Sequence, residues 1–347
     1  MRISRSSFHA VVMAGAISCA IGIAFRTTGA VEAPGSAAVT LPGGAPGIGF
    51  DDLRFAPSLG LILAPAGRSG FLDLVEPASG KVTSVPGFSE TGTWDGGHDQ
   101  GVTSADEGAG FLFATDRTSG DLAIVDPKSR RIASRTKLGG PPDYVRFVPA
   151  TRELWVTSPD RERIEVFRLG KEGPPTAVSD GFVPIPGGPE SLVIDAKRGR
   201  AYTHLWDGET DAIDLVGRKI VAKWKNGCRG SRGIALDEER GFLFTGCAEG
   251  KATVLSVTDG HEISTASSGN GVDIIDYDSA AKRLYFPGGK SATMAIFDVS
   301  AEGKLSLRRI VTTSAGSHCV AVAPNGTAYV CDPRKGRLLA FRETTSR

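Results

Sequence analysis

From residue 37 onward, short apolar stretches and polar turns recur in one phrase. It comprises a brief apolar strand, a turn with Pro or Asp, a strand of "LYV" type, a polar loop, a third strand, a turn and a fourth. The second strands read "LILAPAG" from Leu61, "FLFATDR" from Phe111, "LWVTSPD" from Leu154, "AYTHLWD" from Ala201, "FLFTGCA" from Phe242, "LYFPGGK" from Leu284 and "AYVCDPR" from Ala328. Their starts lie 50, 43, 47, 41, 42 and 44 residues apart, the length of a four-stranded propeller blade. Third strands end in hairpin signals such as "LAIVDPKSRR", "TVLSVTDGHE" and "AIFDVSAEGK". No stretch after the first 30 residues combines a helical apolar period with caps over ten or more positions, which disfavours βαβ folds. The pattern therefore predicts an all-β fold, a seven-bladed β-propeller over residues 37–343. The last repeat stops after its third strand, "GRLLAFRE", while the chain opens with an orphan strand, "AAVTLPGG". Together these complete one blade and close the ring.

The repeats resemble those of the exported YVTN β-propellers, the YncE-like family, over about residues 37 to 343. The resemblance is carried by the seven second strands, by the entering phrases "GGAPGIGF", "GGPPDYVRFVP", "GGPESLVIDA" and "SHCVAVAPNGTAYV", and by "IVDPKSRRI". No repeat reads YVTN itself; "WVTS" and "YVCD" come nearest. The resemblance implies an extracytoplasmic ring. It also implies DNA as one class of partner, and lactonases, lyases and quinoprotein dehydrogenase subunits as related activities. Function is grafted onto such folds, so the site must be argued from its own residues.

Composition agrees with the pattern. Gly 45 and Pro 20, with 40% hydrophobic and 7% aromatic residues, suit a chain rich in turns that still buries a core. Forty basic and 39 acidic residues are spread without long blocks and leave no electrostatic footprint for nucleic acid. Trp94, Trp155, Trp206 and Trp224 are dispersed and form no stacking platform, so DNA rests on the resemblance alone. At the start, Arg2 and Arg5 precede an apolar stretch from Phe8 to Phe25, the pattern of a signal peptide over residues 1–30. Cleavage after Ala20 or Ala30, lipidation at Cys19 and an uncleaved anchor stay open as alternatives. Each places residues 37–343 in the periplasm or outside the cell. Residues 31–36 read as a linker and 344–347 as a tail.

Export bears on the cysteines. In a propeller, the first strand of a blade starts and the second ends on the same face. With Pro324, Asn325 and Gly326 as the turn, Ala323 pairs with Thr327, and counting outward sets Cys319 opposite Cys331. Cys228, in the loop entering the fifth blade, meets Cys247 at the end of that blade's second strand. Two disulfides, Cys228–Cys247 and Cys319–Cys331, are expected in an oxidising compartment, with a metal site and free thiols as the alternatives.

Aligning the seven entering loops puts one residue per blade at the channel mouth: Asp51, Gln100, Asp143, Glu190, Ser231, Asp273 and His318. The carboxylates Asp51, Asp143, Glu190 and Asp273 are candidate ligands for Ca²⁺ or Mg²⁺, which prefer several oxygens. The plainer reading makes them solvated loop tips. His98 or His318 as a general base and Arg232 as an electrophile are candidates for opening a lactone or ester, and Asp99 and His204 are also expected near the rim. His261 falls in a turn on the opposite face. There is no G-x-S-x-G, P-loop, HExxH or CxxCH motif. The first expectation is a monomeric binding or scaffold propeller that holds a protein or small-molecule ligand on the funnel face. The alternative is a metal-assisted, lactonase-like hydrolase or lyase acting in the funnel, and whether the chain is an enzyme stays open. A quinoprotein-like subunit lacks its cofactor motifs.

Overall fold

A computed structural model describes residues 36–170 and 175–342. The expected leader with Cys19, residues 31–35 of the linker and the tail at 344–347 lie outside the described residues. Seven four-stranded antiparallel sheets form the blades of a β-propeller. Blades 1 to 6 occupy residues 54–90, 102–137, 145–184, 193–225, 231–267 and 276–312; blade 7 combines residues 320–342 with Ser36–Thr40. Among the described residues, the helical segments are two single 3₁₀ turns, Pro159–Arg161 and Pro333–Lys335. No helix among them is long and apolar enough to cross a membrane.

The hydrophobic pattern has a direct packing cause. A second strand such as Glu153–Ser158 or Thr327–Asp332 is buried along its whole length, because neighbouring blades cover both faces of its sheet. Its apolar residues therefore run consecutively. The outermost strands Arg131–Lys137 and Lys219–Lys225 alternate between half-buried and exposed positions, and their outward residues include lysine and arginine. Adjacent blades share apolar layers: Tyr285, Met294 and Ile296 of blade 6 pack with Val320, Val330 and Leu339 of blade 7, all at most 5% exposed. Each such side chain contributes roughly 1.5–3 kcal/mol relative to an exposed one.

Ring closure follows the sequence reading, with the opening strand starting one residue earlier. Ser36–Thr40 runs antiparallel to Arg337–Arg342 and pairs Ser36 with Phe341 and Thr40 with Arg337. Val39 and Leu41 enter the core at 7% and 2% exposure. Inside the ring, Asp52 reaches across to Arg146, whose guanidinium donates to both carboxylate oxygens at 2.6 and 3.0 Å, and both residues are buried. Tyr144 lies over that guanidinium, 4.8 Å from ring centre to cation. Tyr144 lines two cavities: one of about 480 Å³ at the turns between first and second strands, and one of about 520 Å³ at the entering loops.

Candidate functional site

The entering-loop cavity contains the sequence-predicted acids. Asp51, Asp143, Glu190 and Asp273 line it together with His98, Asp99 and Arg232. Backbone bonds fix their stems: Asp143 N–H donates to Thr157 O at 2.9 Å, Glu190 N–H to His204 O at 2.8 Å and Asp273 N–H to His318 O at 3.0 Å. Such bonds hold a loop residue against a rigid strand end or a neighbouring loop, so that its side chain is free to face the cavity.

Two further devices hold the loops that carry Asp51 and His98. Buried Arg68 donates to the carbonyls of Gly43, Ala45, Gly47 and Thr91 at 2.7–2.9 Å, tying both loops together. Gly49 passes so close to the second loop that a Cβ there would lie 2.0 Å from Gly97 O and 2.7 Å from His98 Cα. His98 thereby lies against the Asp51 loop, with its Nδ1 3.5 Å from Asp51 Oδ2 and its Nε2 4.0 Å from Asp273 Oδ2.

The four mouth acids divide into two pairs. Asp143 receives Arg117 Nη2 at 2.5 Å, and Glu190 receives Arg232 Nη1 at 2.9 Å as well as the Trp206 indole N–H. Arg232 lies over the Trp206 ring, 3.7 Å from its centre. Asp51 and Asp273 are left at the margin of these cations, 4.0 Å from Arg117 and 3.9 Å from Arg232. Asp51 Oδ2 and His98 Nδ1 are buried atoms without a hydrogen-bond partner.

Negative charge exceeds positive charge in this cavity. Its lining holds six carboxylates (Asp51, Asp99, Asp143, Asp160, Glu190 and Asp273) against two guanidiniums and the His98 imidazole. Burial, then the charge of Asp51, pushes the Asp143 carboxyl well above the usual range despite Arg117. Burial, then Asp273, pushes Glu190 up to about 8. The Asp51 charge raises His98 to about 9, so the imidazole carries a proton at neutral pH.

The remaining predicted residues have other places. Ser231 is buried and bonded to Asn226, and neither it nor Gln100 lines the cavity. His204 is buried against Thr210 at 2.8 Å, and burial lowers its pKa to about 3, which leaves a neutral structural imidazole. His318 sits beside the site, its ring 5.9 Å from that of His98, with both ring nitrogens on carbonyls: Nε2 to Phe50 at 2.9 Å and Nδ1 to Gly316 at 2.5 Å. His261 is exposed and paired with Asp259.

Cys228 and Cys247 form the expected disulfide, with Cα atoms 5.2 Å apart. The second expected bond requires correction: Cys319 and Cys331 are buried free thiols. The predicted register is present, since Val320 faces Val330 and Ala323 N–H donates to Thr327 O. Cys331 Sγ, however, accepts the backbone N–H groups of His318 at 3.3 Å and Cys319 at 3.2 Å, and these contacts hold it as a hydrogen-bond acceptor. Burial opposes ionisation of Cys331, but hydrogen bonding from Cys319 and the His318 charge lower its pKa, while burial raises that of Cys319.

Reading the entering loops alone missed Arg117, Trp206 and Asp160. All three follow second strands, whose ends lie on the same rim. The segments "ATDR", "HLW" and "TSPD" carried that signal. Arg68 had no comparable mark.

No family model matches the chain, and no curated protein matches it. Solved structures do. A mitotic checkpoint complex chain is 13% identical with a TM-score of 0.72, covering 98% of this chain and 99% of that one. A chain of the Kuenenia stuttgartiensis hydrazine synthase is 13% identical with a TM-score of 0.70, covering 93% and 100%. The β-propeller domain of Myceliophteria thermophila Cps50 (Swd1) is 12% identical with a TM-score of 0.69, covering 86% and 98%. At such identity the likeness speaks to fold, and with the seven blades described above it makes the chain a seven-bladed β-propeller.

Proposed function

We propose that this chain is an exported, YncE-like propeller that serves as a binding protein and holds a small cationic ligand at the funnel face. One observation carries the reading: a cavity of about 520 Å³ lined by six carboxylates, with two guanidiniums and one imidazole opposing them. Six carboxylates around one cavity, against three basic groups, favour a cationic ligand over an anionic one. The basic and apolar leader read from residues 1–30 supports export.

Trp206 lines the cavity and serves as the reporter. Titration with 1,4-diaminobutane should change its fluorescence saturably, and the effect should weaken with salt. Asp143→Asn with Glu190→Gln should weaken binding roughly tenfold or more, at about 1.4 kcal/mol per decade. Equal binding of succinate, or no saturable change with any amine or dication, would remove the proposal. A second reading, a metal-assisted hydrolase or lyase, is favoured by the convergence of His98, Asp51, Asp273 and Arg232 on one space. Its test is turnover of simple lactones and esters that is lost in Arg232→Gln while the fold persists.

A further inference from the structure

We infer that Asp51, His98 and Asp273 form a mixed nitrogen–oxygen site for a borderline first-row dication of the Zn²⁺ or Co²⁺ class. The inference rests on the reading of the funnel as a cation site and narrows its chemistry. One ligand atom from each of the three residues lies within 4.8 Å of the other two. Tetrahedral coordination at 2.0–2.2 Å spaces ligand atoms by about 3.4 Å, so small side-chain rotations close the set.

Three observations set this trio apart from an ordinary acidic cluster. Asp143 and Glu190 are already taken by Arg117 and Arg232, whereas Asp51 and Asp273 have His98 between them. Asp51 is 3% exposed, and its Oδ2, on the cavity wall, has no hydrogen-bond partner. At 3.5 Å the facing His98 imidazole is too far to satisfy this oxygen by a hydrogen bond, and a dication that displaces the imidazole proton would bind both groups directly. His98 Nδ1 is likewise buried and unpartnered, facing that oxygen. The trio comes from the loops entering blades 1, 2 and 6, and those loops are held by Arg68, by the Gly49 contact and by the bond from Asp273 N–H to His318 O. Such a scaffold is rigid before a ligand arrives.

The donor set selects the metal class. Calcium takes six to eight oxygens and magnesium keeps near-octahedral oxygen coordination, and an imidazole suits neither. One imidazole with two carboxylates suits zinc, cobalt or manganese and leaves a coordination position toward the cavity.

The test uses the folded chain and cobalt(II) as the probe. One equivalent of Co²⁺ should produce a saturable visible absorption that Zn²⁺ abolishes and excess Ca²⁺ does not. Asp51→Asn and Asp273→Asn should each weaken Co²⁺ binding roughly 10–100-fold, and His98→Gln by a similar factor. His261→Gln, on the opposite face, should leave it unchanged. Thermal melts establish that each variant is folded. Absence of saturable absorption, displacement by Ca²⁺ as readily as by Zn²⁺, or indifference to all three substitutions would overturn the inference. If 1,4-diaminobutane binds while Co²⁺ does not, this inference falls and the cation-binding reading stands. If neither binds, both fall.

Discussion

Asp73, in the third strand of blade 1, is fully buried; one carboxylate oxygen is bonded to Ser84 and the other has no partner. Burial pushes its pKa from 3.8 to about 7. Between these values the folded chain keeps a proton that the unfolded chain releases, so stability falls as pH rises through that window and levels off above about pH 7. Asp73→Asn keeps an acceptor for Ser84 without the charge. Urea unfolding should show it more stable than the parent by about 4 kcal/mol at pH 8 and nearly equal to it at pH 4; parallel pH profiles would refute this account. Residues of this kind mark what a sequence can convey at this scale. Asp51, Asp143, Glu190 and Asp273 were legible because each occupies the same place in a repeated loop. Arg117 and Arg68 act through long side chains that reach over neighbouring loops, and no local pattern encodes where a guanidinium ends.

At the scale of elements, the hairpins of blades 5 and 7 show two uses of cysteine on one rim. The Cys228–Cys247 disulfide closes a span of 19 residues between the loop entering blade 5 and the end of its second strand. Constraining a loop of that length is worth about 3 kcal/mol. Replacing both cysteines by alanine should lower the melting temperature by about 5 °C, since roughly 2.1 cal/mol/K per residue over about 300 residues makes 1 kcal/mol worth about 1.5 °C. Reductant should shift the parent to the same value, and an unchanged melting temperature would mean that the blade is held by packing alone. In blade 7 the strand count and register were readable from the Asn-Gly turn. The state of the thiols was not, because it depends on His318 and on backbone N–H groups that the fold aims at Cys331.

At the scale of the whole molecule, the number of blades was legible because each repeat must bury both faces of its sheet and therefore repeats its apolar run. The seam was legible from a missing fourth strand. Removing residues 37–43 takes away Val39 and Leu41, whose burial alone is worth about 3–6 kcal/mol, and bares the edge of Arg337–Arg342. Thermal unfolding should show a loss of at least that size, and a peptide of residues 36–43 added in trans should recover part of it. Unchanged stability would mean that the seam is not what keeps the ring shut. The seam also has a temporal meaning. Val39 pairs with Leu338, a contact between nearly opposite ends of the chain, and so long a loop must close before that contact yields anything. The strand synthesised first is thus seated only after the last blade exists. Any product that stops short of residue 337 lacks the strand that receives it, which leaves Ser36–Thr40 a sticky, unmatched ribbon for the cell's proteases and chaperones to find.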